Sequence, residues 1–263
     1  MINPPLIDTH VHVWDRFCRM VPGARYRPDY EAKISDYLRL LDAHGIEKAV
    51  LVQPSFLGTD NGYLMTCLRM HPDRLRGIVV LDTGTPGSML DDMAGEGVIG
   101  LRYNLLSLPP MWLAKPEYQV LTRQAVQRDW WVEVQADGPD WPHVLQMLEG
   151  ARLMVDHFGR PMDVPCPGFE AILERDPDIT CVKLSAPYRQ QGFNLQLAAR
   201  RLIGHFGAER CLWGSDWPWT QHEGAHDYAD CLSWLEDWTN EDDRAGMHQA
   251  AEALGFGQYQ DPE

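Results

Sequence analysis

Two histidines stand two residues apart near the start of the chain, at the end of an apolar segment. Residues 6–11 have the pattern of a β-strand, and His10 and His12 lie at its carboxyl end. Side chains at positions i and i+2 of a strand point to the same side, so both imidazoles are expected to face one site. Imidazole is a common metal ligand and exchanges protons near neutral pH. The pair therefore predicts catalytic or metal chemistry, which packing alone does not explain.

Two further candidates follow other apolar runs later in the chain. His157 comes after residues 153–156, and Asp216 follows residues 211–213 in a Gly-Ser-Asp-Trp-Pro segment. Taken singly, His157 also suits a structural hydrogen bond, and Asp216 also suits the cap of a turn. Taken with the first pair, they form either a general acid–base site or the ligand set of one metal ion.

A second group of side chains suits the binding of an acidic molecule. Arg102 directly follows the apolar residues 98–101, and its guanidinium is a planar fork that pairs with a carboxylate. The other members end predicted strands or lie in the loops that follow them, and they are Tyr26, Ser55, Asn104, Gln135 and Arg189. An acidic small molecule is therefore the expected partner.

Eight short apolar runs must position these side chains, and helical patterns separate them. The predicted strands are residues 6–11, 49–53, 75–81, 98–101, 131–135, 153–156, 181–184 and 211–213. The predicted helices are residues 34–44, 61–70, 89–94, 118–128, 141–148, 169–174 and 195–206, with outer helices expected in the tail 225–254. Apolar runs without alternation are typical of parallel strands that are buried on both faces. The alternation predicts a single (β/α)8 TIM barrel domain over residues 1–263, whose strand carboxyl ends meet at one face.

The connection after the first strand is unusually long. Residues 14–33 contain no predicted element, although loops longer than ~12–15 residues are uncommon unless they are functional or disordered. This loop follows a strand end, so it is expected at the face where barrel enzymes build active sites. It carries several residues that could contact an acid, namely Arg16, Arg19, Arg25, Tyr26 and Arg27.

Composition argues against several classes of binding partner and against some cellular compartments. Asp and Glu number 38 against 23 Lys and Arg, and the formal net charge of -15 argues against nucleic acid as a partner. No apolar run reaches ~18 residues and no signal peptide is recognisable, so neither a membrane span nor secretion is expected. The 6 cysteines include no C-x-x-C pair and are expected to be reduced, as in a cytoplasmic protein.

The motifs together resemble those of the amidohydrolase superfamily, in its amidohydrolase-2 branch. Within that branch the chain is most similar to the 2-pyrone-4,6-dicarboxylate lactonases and related sugar-acid lactonases. The matching stretches follow the order of the barrel strands and are residues 7–12, 52–55, 58–61, 100–104, 155–157, 183–189 and 214–218. This order is far more specific than a solitary H-x-H motif.

The resemblance implies a barrel hydrolase that opens a carboxylate-bearing lactone. Asp216 would then be the general base that activates water, and His10, His12 and His157 would surround the attacked carbonyl or bind a metal. The substrate would be held by the residues at the matching positions Tyr26, Ser55, Arg102 and Arg189, with Asn104 and Gln135 at the ends of the fourth and fifth strands.

Four positions depart from the patterns of these relatives. Arg102 stands where a two-metal site has a carboxylatable lysine or a bridging glutamate, and Gln135 stands where it has a histidine. Leu108 replaces a second arginine of the pyrone-dicarboxylate enzymes, and Trp219 replaces a frequent histidine. A binuclear centre is therefore not expected. We predict a site without a cofactor, acting on a mono-acid or sugar-acid lactone in preference to the doubly charged pyrone.

Three alternatives stay open at this point. One Zn²⁺ could be bound by three imidazoles and a carboxylate, which are His10, His12, His157 and Asp216. A metal-dependent non-oxidative decarboxylase of the same superfamily uses the same residue types. A non-catalytic barrel that binds a small acid is the third alternative, although a binding module has no need of a general base.

Overall fold

Eight parallel strands in chain order form the centre of the molecule. The computed structural model describes residues 7–162, 166–190 and 194–256. Each strand pairs with the next one along the chain. The strands are β1 (Ile7–Val11), β2 (Lys48–Val52), β3 (Leu75–Val79), β4 (Val98–Asn104), β5 (Trp131–Gln135), β6 (Leu153–Val155), β7 (Thr180–Ser185) and β8 (Cys211–Gly214). All eight predicted strands are present, and Leu6, the predicted start of the first, lies outside the described residues.

The last strand returns to the first, so the sheet curls into a near-closed barrel. The Thr9 hydroxyl on β1 donates to the Trp213 carbonyl oxygen on β8 at 2.7 Å, and the Asp216 amide donates to the His10 carbonyl oxygen at 2.8 Å. Gly214 allows this approach, because a Cβ atom there would lie 2.6 Å from the Cβ atom of His10. The predicted TIM barrel is confirmed.

Helices lie between consecutive strands and continue after the last one. They are α1 (Ile34–His44), α2 (Gly62–Met70), α3 (Gly87–Gly95), α4 (Pro116–Val126), α5 (Trp141–Met147), α6 (Pro167–Leu173), α7 (Leu195–Phe206), α8 (Tyr228–Trp238) and α9 (Glu241–Glu252). The α1 helix ends as its sequence predicts, because Gly45 adopts the left-handed conformation (φ 70°) that glycine accepts without strain. Among the described residues, no helix is both long and apolar enough to cross a membrane.

The apolar side chains of the strands are buried on both faces. Ala49 and Leu51 belong to the layer between the barrel and the helices, whereas Val50 and Val52 face the barrel interior. This two-sided burial explains why the strand sequences do not alternate between apolar and polar residues. The interior is therefore a packed core, and only the strand carboxyl ends are free to carry a site.

The amino ends of the strands are covered by the last described residues. Leu254 and Phe256, which follow α9, pack in one cluster with Ile7 of β1. Arg76, near the start of β3, donates from Nε to the Gly255 carbonyl oxygen at 2.8 Å. The barrel is thus sealed at the end opposite its polar side chains.

Loop 14–33 folds back beside the first strand instead of extending into solvent. The amide of Trp14 donates to the Ala32 carbonyl oxygen at 2.9 Å, and the Ala32 amide donates back at 3.0 Å. The Trp14 indole donates to the Tyr30 carbonyl oxygen at 2.7 Å, and its ring packs against Phe56. The loop is therefore anchored at the strand carboxyl ends, where the sequence predicted it.

Candidate active site

The fold brings together the three histidines and the aspartate that the sequence singled out. His10 lies in β1 and His12 directly follows that strand, with their ring centroids 4.9 Å apart. The His157 ring lies 4.8 Å from that of His10. His157 and Asp216 follow β6 and β8 in left-handed backbone conformations (φ 51° and 58°), which turn both side chains back over the barrel. All four are buried. Non-glycine residues with a left-handed backbone, such as His157 and Asp216, are uncommon and often mark functional sites.

A buried aspartate fixes the strands that carry this group. Asp8 lies beside the first histidine on β1 and accepts hydrogen bonds from the hydroxyls of Tyr37 at 2.8 Å and Tyr228 at 2.9 Å. It also accepts from the amide of Ser215 at 2.9 Å. Ser215 directly precedes Asp216, so Asp8 ties the carboxylate of the site to β1.

The two oxygens of Asp216 have different surroundings. Its Oδ2 atom accepts from the Tyr188 hydroxyl at 2.6 Å and from Arg189 Nε at 2.7 Å. Its Oδ1 atom accepts no hydrogen bond from any described residue and lies 3.4 Å from His12 Nε2 and 3.7 Å from His10 Nε2. Burial acts to raise the pKa of Asp216, but the Arg189 guanidinium leads the groups that hold it well below its usual range. The carboxylate is therefore ionised, with one oxygen available to a ligand.

Each imidazole is anchored through its Nδ1 atom. His12 Nδ1 donates to the Val52 carbonyl oxygen at 2.7 Å, because a carbonyl only accepts. His157 Nδ1 lies 2.8 Å from the Ser185 hydroxyl oxygen. Burial lowers the pKa of His157 to about 3, and burial together with Lys183 lowers that of His10 well below its usual range. Both rings are therefore neutral at pH 7.

Four buried charged residues contact one another, and three of them lie beside His10. We call Arg102, Glu133, Asp156 and Lys183 the floor cluster. Arg102 contacts Glu133 Oε1 through Nε at 2.9 Å and Asp156 Oδ2 through Nη2 at 2.8 Å. Lys183 contacts Glu133 Oε2 and approaches Asp156 Oδ1 at 3.7 Å. None is more than 3% exposed.

The two carboxyl groups of the floor cluster titrate differently. Burial and the neighbouring carboxylate raise the pKa of Glu133 to about 7, although Lys183 and Arg102 oppose this. Burial acts in the same sense on Asp156, but its neighbours, among them the cations Arg102 and Lys183, hold its pKa well below its usual range. Asp156 is therefore the group that keeps a full negative charge beside His10.

A cavity of about 860 Å³ opens above the buried carboxylate. All but one of the predicted site residues line it, and they are His12, Tyr26, Ser55, Arg102, Asn104, Gln135, His157, Arg189 and Asp216. The exception is His10, which is fully buried and lies behind the cavity wall. His10 can therefore act on a bound molecule only through its neighbours.

The guanidinium groups expected to hold a substrate carboxylate already face carboxylates of the protein. Arg102 contacts two members of the floor cluster and donates from Nη2 to Gln135 Oε1 at 3.0 Å. Arg189 pairs with Asp216 and donates from Nη2 to the Thr220 carbonyl oxygen at 3.1 Å. Gln135 also accepts from Asn104 at 2.8 Å, so three predicted binding residues form one hydrogen-bonded group.

The sequence profile of the amidohydrolase family matches residues 7–254. The chain belongs to this family. A structure from Acinetobacter baumannii described as a "probable 2-pyrone-4,6-dicarboxylic acid hydrolase", with citric acid bound, superposes on this amidohydrolase with a TM-score of 0.89 at 31% identity, covering 96% of this chain and 99% of that chain.

Two curated relatives of this amidohydrolase have names that state a reaction. The D-galactarolactone isomerase of Agrobacterium fabrum is 25% identical over 249 residues, or 88% of this chain and 85% of that protein. The 2-pyrone-4,6-dicarboxylate hydrolase of Comamonas testosteroni is 25% identical over 235 residues, or 81% of this chain and 76% of that protein. The predicted resemblance is therefore confirmed at the level of the family.

The amidohydrolase offers the donor atoms of one metal site by type, but their surroundings oppose a metal. Ligand atoms of His10, His157 and Asp216 lie within 4.8 Å of one another, and His12 is not part of that group. A ligating imidazole must turn a bare nitrogen toward the ion, yet Lys183 Nζ lies 3.0 Å from the other ring nitrogen of His10. An ammonium only donates, so His10 Nδ1 accepts from Lys183 and the ring hydrogen lies on Nε2. Nε2 is the nitrogen that would have to be bare to bind the metal. As they stand, these residues do not fit a bound metal.

Several site residues were absent from the predicted set. Tyr188 holds the catalytic candidate Asp216, and Glu133, Asp156 and Lys183 surround His10. Glu133, Asp156 and Lys183 lie within predicted strands, where a charged residue in an apolar run was the available signal. Tyr188 follows the predicted strand 181–184 by four residues and carried no such signal. A charged residue in a strand can be assigned to the strand carboxyl ends, but the residue that it contacts cannot be predicted, because several strands end in the same space.

Proposed function

We propose that this amidohydrolase opens a carboxylate-bearing lactone with water and without a metal. The observation that carries the proposal is the Oδ1 atom of Asp216, a buried carboxylate oxygen with no donor among the described residues, at the base of the cavity. The names of the curated relatives support a lactone as the substrate class, and citric acid in the related structure supports an acidic ligand.

The nucleophile is a water molecule held at the aspartate. The two acceptors Asp216 Oδ1 and His12 Nε2 lie 3.4 Å apart, so one water can donate a hydrogen to each and keep a lone pair for attack. As the water oxygen bonds to the lactone carbonyl carbon, its proton passes to Asp216. The ring C–O bond then breaks, and Asp216 returns the proton to the leaving oxygen. The product is an open-chain hydroxy acid.

The charge that develops on the carbonyl oxygen needs a donor in the cavity. His157 lines the cavity and is neutral. A Ser185 hydroxyl that donates to His157 Nδ1 leaves the Nε2 hydrogen of that ring free for the oxyanion. One such donor typically contributes ~3–4 kcal/mol to transition-state stabilisation. An ester-type carbonyl needs less activation than an amide, so this donor replaces a metal in the proposed reaction.

The substrate carboxylate is assigned to Arg189. Its Nε and Nη2 atoms bond to Asp216 and Thr220, and no described residue accepts from its Nη1 atom. A carboxylate bound there would share the guanidinium with Asp216. Withdrawing positive charge from Asp216 strengthens the base at the moment that substrate is present. Arg102 then orients Gln135 and Asn104, which bind the ring oxygens.

A panel of sugar-acid and pyrone lactones tested for acid release is the direct experiment. Acid release that is lost in Asp216→Asn supports the proposal, and inactivity across the panel contradicts it. Product analysis by NMR separates hydrolysis from isomerisation, in which a hydroxyl of the substrate attacks in place of water. Isomerisation is the second candidate, because a curated relative is a galactarolactone isomerase.

Two further measurements test the alternatives of a zinc-dependent hydrolase and a decarboxylase. Purified protein with stoichiometric zinc and chelator-sensitive activity would contradict the metal-free proposal. Carbon dioxide release from an aromatic acid, with no acid release from lactones, would favour a decarboxylase.

A further inference from the structure

Lys183 meets His10 at the ring nitrogen that faces away from the cavity. The distance from Lys183 Nζ to His10 Nδ1 is 3.0 Å, and both side chains are fully buried. An ammonium has three hydrogens and no lone pair, so it can only donate. His10 Nδ1 must therefore accept, and a neutral imidazole that accepts at Nδ1 carries its hydrogen on Nε2.

A competing acceptor lies almost as close. Asp156 Oδ1 is 3.2 Å from His10 Nδ1, but it accepts no hydrogen bond from any described residue. If Lys183 were absent, the Nδ1 hydrogen could be donated to Asp156, and Nε2 would be bare. The same ring thus has two possible hydrogen positions, and the choice between them depends on Lys183.

We infer that Lys183 fixes His10 as the tautomer with its hydrogen on Nε2 and thereby keeps metal ions out of the site. The Nε2 atom of His10 is 3.7 Å from Asp216 Oδ1, and neither atom has a hydrogen-bond partner among the described residues. A hydrogen on Nε2 faces the aspartate, whereas a bare Nε2 would complete a ligand group with His157 and Asp216. Lys183 is a positioning residue, since it acts through His10.

The inference rests on the proposed function only for the role of Asp216 as the base. The tautomer and the exclusion of metal follow from contacts of the floor cluster. They can be measured without a substrate, so an inactive lactone panel would leave them standing.

The variant that tests the inference must keep the buried charges balanced. Lys183→Met alone would leave Glu133 facing only Arg102, and an uncompensated buried charge is strongly destabilising. The double variant Lys183→Met/Glu133→Gln removes one positive and one negative group together. It leaves Arg102 paired with Asp156, which stays free to accept from His10 Nδ1. Glu133→Gln alone is the control that keeps Lys183, whose remaining carboxylate neighbour is then Asp156, 3.7 Å away.

Nitrogen-15 NMR of the full chain reports the hydrogen position directly, with the His10 signals assigned by comparison with His10→Asn. We expect the hydrogen on Nε2 in the unaltered protein and in Glu133→Gln, and on Nδ1 in the double variant. A hydrogen on Nδ1 in the unaltered protein overturns the inference even if no variant folds.

Zinc titration by calorimetry is the second readout, which a purely structural role of Lys183 would not move. We expect the double variant to bind Zn²⁺ at least ~10-fold more tightly than Glu133→Gln, a difference of about 1.4 kcal/mol. Equal zinc affinity in the folded double variant and its control overturns the inference.

Discussion

The floor and the rim of the cavity are built in opposite ways. In the floor cluster every charged group contacts an opposite charge, and no residue is more than 3% exposed. At the rim, Arg25 is exposed, and the hydrogen bond from its Nη2 atom goes to a neutral acceptor, Asn104 Oδ1, at 2.9 Å. Tyr26 and Tyr30 of loop 14–33 both donate to the exposed Glu223.

This difference indicates that the floor and the rim have different roles in binding and reaction. Buried ion pairs are expensive to form and to break, so the floor holds one arrangement before any substrate arrives. Exposed contacts contribute little to stability and exchange readily with water, so the rim can adapt to a ligand. Changes at the floor are therefore expected to alter stability or kcat, and changes at the rim are expected to alter KM.

The largest expected effect comes from Asp216, the carboxylate at the base of the cavity. Asp216→Asn removes the proposed base, and we expect kcat/KM for a lactone to fall about 1000-fold, within the range typical of general-base removal. Steady-state kinetics with circular dichroism checks the loss and the fold. Asp91→Asn, far from the cavity, is the control. Activity within tenfold of the unaltered protein would remove Asp216 from its role.

The next effect tests the floor as a source of stability. Arg102→Met leaves Glu133 and Asp156 with one fewer cation, and we expect the free energy of unfolding to drop by about 3 kcal/mol or more. Urea denaturation measures it. Arg69→Met, which breaks an exposed pair with Glu96, should cost under about 1 kcal/mol. Equal losses in the two variants would show that the buried floor cluster adds no more stability than an exposed ion pair.

A smaller effect is expected at the rim. Tyr26→Phe removes one of the two hydroxyls that donate from loop 14–33 to Glu223, so we expect KM to rise about threefold to tenfold with kcat unchanged, a loss of uniform binding. Tyr63→Phe is a matched control, because its hydroxyl contacts the Ile34 amide instead of the cavity. A fall in kcat with KM constant would place Tyr26 in the chemical step.

The smallest expected effect is that of pH. The pKa of Asp216 is depressed, so the base stays ionised above pH 5, and His157, with its pKa lowered to about 3, stays neutral there. We therefore expect neither Asp216 nor His157 to cause a change in kcat/KM between pH 5 and 8, as measured in a pH profile. A limb near pH 6.5 that persists in Glu133→Gln would show that an imidazole ionises in the free enzyme. A change in kcat/KM near pH 7 that is absent in Glu133→Gln would show instead that ionisation of Glu133 in the floor cluster affects the reaction rate.

The sequence predicted the barrel and the convergence of the site, because both follow from periodicity and strand order. The α1 helix has its predicted bounds, and β4 extends three residues beyond its predicted end to reach Asn104. Polar residues at strand ends do not look like strand by composition, which explains the shorter prediction. Any residue at such an end is brought to the same face, so His157 and Asp216 could be assigned without knowing their partners.

The partners of the charged residues could not be predicted. Arg102 sits opposite Glu133 in the β4–β5 register, and that register is fixed by the whole barrel. Lys183 reaches His10 across the barrel interior from a position 173 residues away in the chain. Local sequence contains no information on such distances, so an arginine assigned to a substrate proves to face two carboxylates of the protein.

The seal formed by Leu254 and Phe256 has a consequence for synthesis on the ribosome. The first strand is finished by residue 11, yet both its neighbour β8 and the cover of its amino end come from residues 211–256. A nascent chain must therefore carry an unpaired β1 edge until β8 has emerged. Contacts of such long sequence separation form slowly and leave apolar edges open to aggregation. Chaperone dependence during expression should accordingly persist until residues 211–256 have been synthesised, and slowing the ribosome before that point should bring no gain in folded protein.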